Sequence, residues 1–253
     1  MLYDNLINDN CNKLHIINNN KRLVYPNRFM NSKRHFSTSS KASGAKRLTK
    51  IERAMYNIEG DIKDVLVGSS LGDLYMRRSS PTANARAVFR QGEIHSEFLY
   101  HLYDLFKIFT LSPPKFTTIV DKKTGKSRRN LSFATLNLPC FNEIYELFYV
   151  NGIKVVPQNI GELLSPIAFA YWIMDDGAFT GSGLRLSTDA FTKPELNLLI
   201  DALKTNFNII ATINIHDREK EQYTLYISKH QLPLVISIVG EHMLDSFMYK
   251  LGK

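Results

Sequence analysis

The sequence predicts an α+β protein built from two similar halves. Three observations carry this. The order helix, strands, helix, hairpin, helix runs twice along the chain. In each copy the first helix-like segment is apolar and ends on an aspartate. The strand-like runs alternate apolar and polar residues, and one pair in each copy flanks a charged turn. A chain of 253 residues, 44% of them hydrophobic, is long enough to bury the core of one large or two small domains.

The first segment lies outside this repeat. Residues 1–53 carry 11 Lys/Arg against 3 Asp/Glu, so the net charge of +8 belongs to them; the remainder balances 21 against 21. The stretch "NRFMNSKRHFSTSSKASGAKR" (27–47) holds six Lys/Arg, one His and no acid. Such composition buries too little apolar surface to order itself. Residues 1–53 are therefore expected to be a basic, disordered tail or leader. The alternatives are a solvated tail, a DNA-binding arm and a mitochondrial presequence, which shares this basic, hydroxyl-rich, acid-poor character. The last points to a mitochondrial location. Beyond the tail the charge balance is zero, so nucleic-acid binding there requires a basic face offset by acids elsewhere.

Structure is expected from Ile58. In "IEGDIKDVLVGSSLGDLYMRR" (58–78), Ile62, Val65, Leu66, Ser69 and Asp73 fall at helical spacing. "NARAVFRQG" (84–92) alternates as a strand. "HSEFLYHLYDLFKIFT" (95–110) is an amphipathic helix ended by "SPP". "KFTTIVDKKTGKSRRNLSFAT" (115–135) is two strand runs around a basic turn with Gly125. "FNEIYELFYVNG" (141–152) predicts a short helix closed by its glycine. This sets a first domain at 54–152, followed by a linker at 153–164. The second domain, 165–253, repeats the order. "SPIAFAYWIMDDG" is helix-like and "LRLSTDAF" strand-like, and the residues between them fit either strand or loop. "TKPELNLLIDALKTNF" is a helix opened by a Thr192/Glu195 capping box. "ATINIHDREKEQYTLYIS" is another strand pair, and "LPLVISIVGEHM" a helix or buried apolar segment. The apolar run within that last segment is too short to span a membrane. Cys11 and Cys140 form no zinc spacing or disulfide framework, and the seven histidines show no close-spaced ligand motif.

The repeat places Asp73 and Asp176 at equivalent helix ends. A carboxylate is unfavourable at a helix C-terminus, and a divalent cation removes the conflict. Gly68, Ser69 and Ser70 in the first helix, with Ala168 and Ala170 in the second, allow two helix backbones to approach. Packed together, the helices would bring both acids to one spot, an arrangement suited to metal-assisted phosphodiester hydrolysis. A solvated helix terminus is the ordinary alternative for either acid alone.

The stretches "LVGSSLGDLYMRR" and "SPIAFAYWIMDDGAF" resemble the paired motifs of LAGLIDADG homing endonucleases in their single-chain form. The likeness is to the branch containing the yeast mitochondrial omega-intron endonuclease. It extends to "LSPP" (111–114), "IKVVP" (153–157) and "MYKL" (248–251), and covers about residues 58–251. The resemblance implies two pseudo-symmetric domains, each with a four-stranded antiparallel sheet, forming a DNA-binding saddle. It implies Mg²⁺-dependent cleavage of double-stranded DNA at a long asymmetric target, across the minor groove, leaving short 3′ overhangs, with Mn²⁺ able to substitute. It makes Asp73 and Asp176 catalytic metal ligands, with backbone carbonyls of Gly72 and Asp175 joining them. Lys154 and Lys250 match basic residues beside the metals. The first motif has Leu74 in place of its final glycine, and the second carries bulky Tyr171 and Trp172, which implies an asymmetric helix interface.

The same resemblance puts DNA on the sheets. Arg86 and Arg90 share parity on one strand; Arg185 and Ser187 share it on another. Lys122, Lys123, Lys126, Arg128 and Arg129 crowd one hairpin and would grip phosphates, a solvated turn being the alternative. A monomer is expected. The competing function is an intron RNA maturase on the same fold, with host intron RNA as partner, and the two can coexist. Retention of both acids and both lysines favours cleavage.

Overall fold

A computed structural model describes residues 48–120 and 124–253, which lie within one compact unit, Ala42–Lys253. Most of the expected tail lies outside the described residues. Its last part departs from expectation, because helix α1 (Lys50–Ala54) begins eight residues before Ile58. The cause is local. The Thr49 hydroxyl accepts from the Glu52 N–H (3.2 Å), and the Glu52 carboxylate accepts from the Thr49 N–H (2.8 Å). Two donors otherwise orphaned at the helix start are satisfied together.

The first half continues with α2 (Asp61–Leu71), β1 (Tyr75–Arg77), β2 (Arg86–Gly92), α3 (Ser96–Phe106), β3 (Lys115–Val120), β4 (Ser127–Ala134) and α4 (Asn142–Phe148). A small hairpin, β5 (Tyr149–Val150) and β6 (Ile153–Lys154), and a turn of helix, α5 (Ile160–Leu163), follow. The second half has α6 (Pro166–Asp176), β7 (Gly177–Phe179), β8 (Gly183–Ser187), α7 (Lys193–Phe207), β9 (Ala211–Asp217), β10 (Gln222–Ser228) and α8 (Leu232–Val239). A 3₁₀ segment, Asp245–Leu251, ends the described chain before Gly252.

Each half forms a four-stranded antiparallel sheet. The strand orders, β1-β2-β4-β3 and β7-β8-β10-β9, are equivalent element by element. The protein is thus α+β, as the repeat predicts. Each sheet buries alternate residues under helices: Ala87, Phe89, Leu131 and Phe133 in the first, and Leu184, Leu186, Leu225 and Ile227 in the second. Phe89 stacks on Phe133 and tilts against Phe106 of α3, which seats that helix. The capping box expected at Thr192 is present, and Glu195 also accepts from the Val156 N–H, tying the connecting segment to the second half.

Two buried helices, α2 and α6, pack along each other. Their backbones come so close that a Cβ added at Gly68 would lie 2.1 Å from the Ala168 carbonyl oxygen. The interface is asymmetric, as the bulky residues imply. The Tyr171 hydroxyl pairs with His101 of α3 (2.6 Å), and its ring lies beside Phe98.

The segment 141–152 also differs from expectation. Its helix stops at Phe148, and Gly152 closes a hairpin rather than a helix. Asn151 (φ 52°) and Gly152 (φ 78°) make the two-residue turn between β5 and β6. Positive φ at both positions is what a tight hairpin turn demands. The Tyr149 hydroxyl accepts from the Met76 N–H (3.0 Å), fixing this hairpin beside β1.

Candidate active site

The ends of α2 and α6 converge because the helices touch along their small residues. At the end of α2, Gly72 caps the helix and the chain turns into β1, leaving the Asp73 carboxylate exposed. At the end of α6, Asp175 and Asp176 occupy the last turn, half-buried. Asp73 and Asp176 face one cavity of about 440 Å³, shared with Lys154, Tyr75, Ser187 and Asp189.

Asp175 is not limited to its backbone. One carboxylate oxygen accepts from the Asp73 N–H (2.6 Å) and the other from the Gln91 side-chain amide (2.5 Å). The equivalent position in the first motif is Gly72. A Cβ there would lie 2.4 Å from the Asp175 oxygen, so the glycine makes room for the aspartate. Sequence reasoning missed both the Asp175 side chain and Gln91. The only trace was parity: Gln91 is out of step with Arg86 and Arg90, and so points to the buried side of its strand.

The lysines repeat the twofold pattern. The Lys154 ammonium donates to the Gly72 carbonyl. The Lys250 ammonium donates to the carbonyls of Met174 (2.5 Å) and Asp175 (3.0 Å). In each half a lysine therefore sits on the carbonyl preceding the exposed or cavity-facing acid, where a cation also suits the helix C-terminus. The two carbonyls that the resemblance assigns to a metal each accept from a lysine and keep a second lone pair.

Burial dominates the electrostatics. It pushes Asp176 up to about 8, with repulsion from Asp175 and Asp73 adding to it and the two lysines opposing it. Asp175 is pushed up to about 7 by burial and by Asp73, against its two hydrogen bonds. Burial lowers both lysines, and the carboxylates partly restore them. Carboxylates this reluctant to ionise would be relieved by an added cation. Among the described residues no group of three or more His, Cys, Asp or Glu is placed to hold a metal ion. Two hard carboxylates open to a cavity fit Mg²⁺, which usually binds one or two carboxylates and completes its shell with water and phosphate oxygens.

The exposed sheet faces differ in charge. Register puts Arg77, Arg86, Arg90, Arg128 and Lys115 on the outer face of the first sheet. The outer face of the second has Arg185 and Ser187, with Thr212, Asn214 and Tyr226 beside them and Thr224 buried between strands. Arg86 and Arg90 thus share a face as predicted, and Ser187 also lines the acid cavity. Arg129 faces the other way, paired with Glu93 (2.6 Å) and stacked over Phe116, because it neighbours Arg128 on a strand of period two. Lys126 is exposed in the turn; Lys122 and Lys123 lie outside the described residues. Arg77 and Lys115 were missed, being identifiable only through register with β2 and β4.

Residues 63–234 match the LAGLIDADG DNA endonuclease family. "Cytochrome b mRNA maturase bI2" of Saccharomyces cerevisiae is 33% identical over 76% of this chain. The match spans 47% of that relative, so the chain accounts for about half its length. The protein of the same name from Debaryomyces hansenii is 32% identical over 77% of this chain and 75% of its own length. "Intron-encoded endonuclease ai4" of Dictyostelium discoideum is 38% identical over 50% of this chain and 80% of its own. Among solved structures, "The homing endonuclease I-WcaI bound to its DNA recognition sequence" superposes with a TM-score of 0.75 at 21% identity, over 83% of this chain and 95% of that one, which shows a shared fold.

Proposed function

Because this chain belongs to the LAGLIDADG DNA endonuclease family, we propose that it is a site-specific endonuclease that cuts both strands of duplex DNA with Mg²⁺. The observation that carries this is the meeting of Asp73 and Asp176 in one cavity, with a lysine beside each. Asp73 and Asp176 would hold the metal. When bound, Mg²⁺ supplies Lewis-acid stabilisation at the scissile phosphate and an activated water. Asp175 and Gln91 hold the backbone of Asp73 in place. Lys154 and Lys250 offset negative charge that develops at the phosphate. The outer sheet faces grip and read the duplex as a two-domain saddle, 54–152 and 165–253 joined through 153–164. Cutting across the minor groove with short 3′ overhangs, a long asymmetric target, a monomeric state, Mn²⁺ as substitute and a mitochondrial location complete the reading. They rest on the family likeness and, for location, on the basic N-terminal segment.

The test is selection of cleaved sites from a randomised duplex library with Mg²⁺. We expect one long cleaved consensus, and no cleavage by Asp73→Asn or Asp176→Asn although both still bind the selected site. Cutting by both variants at the parental rate would overturn the role of the acids. Metal binding has a separate readout: Mg²⁺ should raise the melting temperature of the parent and not of Asp176→Asn.

A second reading is carried by the two relatives named as maturases: assistance of intron RNA splicing, with or without cleavage. Faster splicing of a host-intron precursor with purified protein, retained in Asp73→Asn, would establish it. Unchanged splicing would exclude it for that intron.

A further inference from the structure

We propose that α1 extends the DNA grip of the first sheet: with the arginines beside it, it forms a trough that holds the phosphate backbone flanking one end of the target. The inference rests on the DNA-cleaving reading and extends it beyond the acids and the second sheet. Three cavities, of about 390, 410 and 280 Å³, adjoin through shared lining residues. Arg53 links the first two; Arg86 and Asn137 link the last two. Together they are lined by Lys50, Arg53, Arg77, Arg78 and Arg86, and by no aspartate or glutamate.

Arg78 is held by Glu146 (2.6 Å) and lies over Tyr145. The other four cations make no salt bridge among the described residues. Gathering unpaired cations around shared cavities costs electrostatic energy that an anion would recover. A single small anion fills one cavity, whereas a linear polyanion spans all three.

The trough is continuous with the outer face of the first sheet. Arg77 and Arg86 face each other across β1 and β2. Arg77 is four residues beyond Asp73, roughly 13 Å along an extended strand. Arg86 in turn shares a cavity with Arg53 of α1, so the trough leads onward to a helix outside the family match at 63–234. Duplex DNA lying on the sheet would run into it.

The experiment uses the full chain with Lys50→Ala and Arg53→Ala combined. Binding to the selected target is measured against salt, with the duplex trimmed to the target or extended by about ten base pairs at one end or the other. With one of the two extensions, the log K against log salt slope should fall by about 1–2, as expected for two lost phosphate contacts, and affinity should drop several-fold. With the trimmed duplex, variant and parent should match. The cleaved consensus should not change. Equal slopes on every duplex, equal loss on every duplex, or a loss seen only with intron RNA would each overturn the proposal. A parent that binds no duplex would instead sink the endonuclease reading. Lys50→Gln with Arg53→Gln keeps the side-chain stems and should behave the same, which separates lost charge from a disturbed helix. Lys204→Ala, on α7, should change nothing.

Discussion

Asp175 and Gly72 occupy equivalent positions and do opposite things: one projects a side chain into the space the other leaves. Asp175→Ala would strand the Asp73 N–H and the Gln91 amide. We expect about 1–3 kcal/mol lost in urea denaturation, with cleavage falling more than DNA binding. Asp175→Asn keeps both hydrogen bonds once the Gln91 amide turns over, and it removes a charge from a crowded acidic cluster. Its stability at neutral pH should match or exceed the parent. The raised carboxylates also set a pH dependence. Asp175 and Asp176 titrate near 3.8 when unfolded and near 7 and 8 when folded. The native state therefore holds more protons between those values, and metal-free stability falls as pH rises through them. His95 and His101, lowered by burial, act in the opposite sense below about 6.5. From pH 6.5 to 8 the acids act against Lys154 and Lys250, whose lowered folded values make stability rise with pH above them, so the Asp176→Asn comparison isolates the acid's share. There the melting temperature of the metal-free parent should fall relative to that of Asp176→Asn. Of this cluster, Asp73 and Asp176 were legible from motif and repeat, and the lysines only from the family resemblance. The Asp175 bridge was not, because it depends on a side chain crossing between helices one hundred residues apart.

The paired helices α2 and α6 were legible as elements because their small residues and apolar runs are local signals. Gly68→Ala gives that contact a clear test. In an ordinary helix interior the change stabilises by up to about 1 kcal/mol; here the new methyl would overlap the Ala168 carbonyl. We expect the opposite sign, a loss of about 1–3 kcal/mol in chemical denaturation. The hairpin β5–β6 was misread because the apolar pattern of "YELFYV" runs past Phe148 without a break. Its true signal was "NG", which favours a two-residue hairpin over a helix cap when strand-like residues flank it on both sides. Lys154 rides on this hairpin, so its placement beside Gly72 depends on that turn. Helix α1 was also missed: its capping box is present in the sequence, but the basic composition around it argued for disorder.

Across the whole molecule, cations are sorted by face rather than by segment. Residues 54–253 have no net charge, yet five cations share the outer face of the first sheet and Arg185 stands among neutral residues on the second. Composition hid this because acids elsewhere cancel the sum, and only strand register reveals it. Arg86→Ala and Arg90→Ala should each flatten the salt dependence of binding wherever they meet phosphate, by about one unit of slope. Asn214→Ala should leave the slope intact and relax base preference in one half of the selected target, as expected for an amide reading a base edge. The mismatch at Gly72 and Asp175 reaches further than the site. Two copies of the first half, paired as the halves are here, would face glycine to glycine and leave both Asp73 amides without an acceptor. Two copies of the second would drive two carboxylates into one space. The Asp73–Asp175 bridge therefore requires unlike halves: it forms between the first half and the second and is lost in either self-pairing.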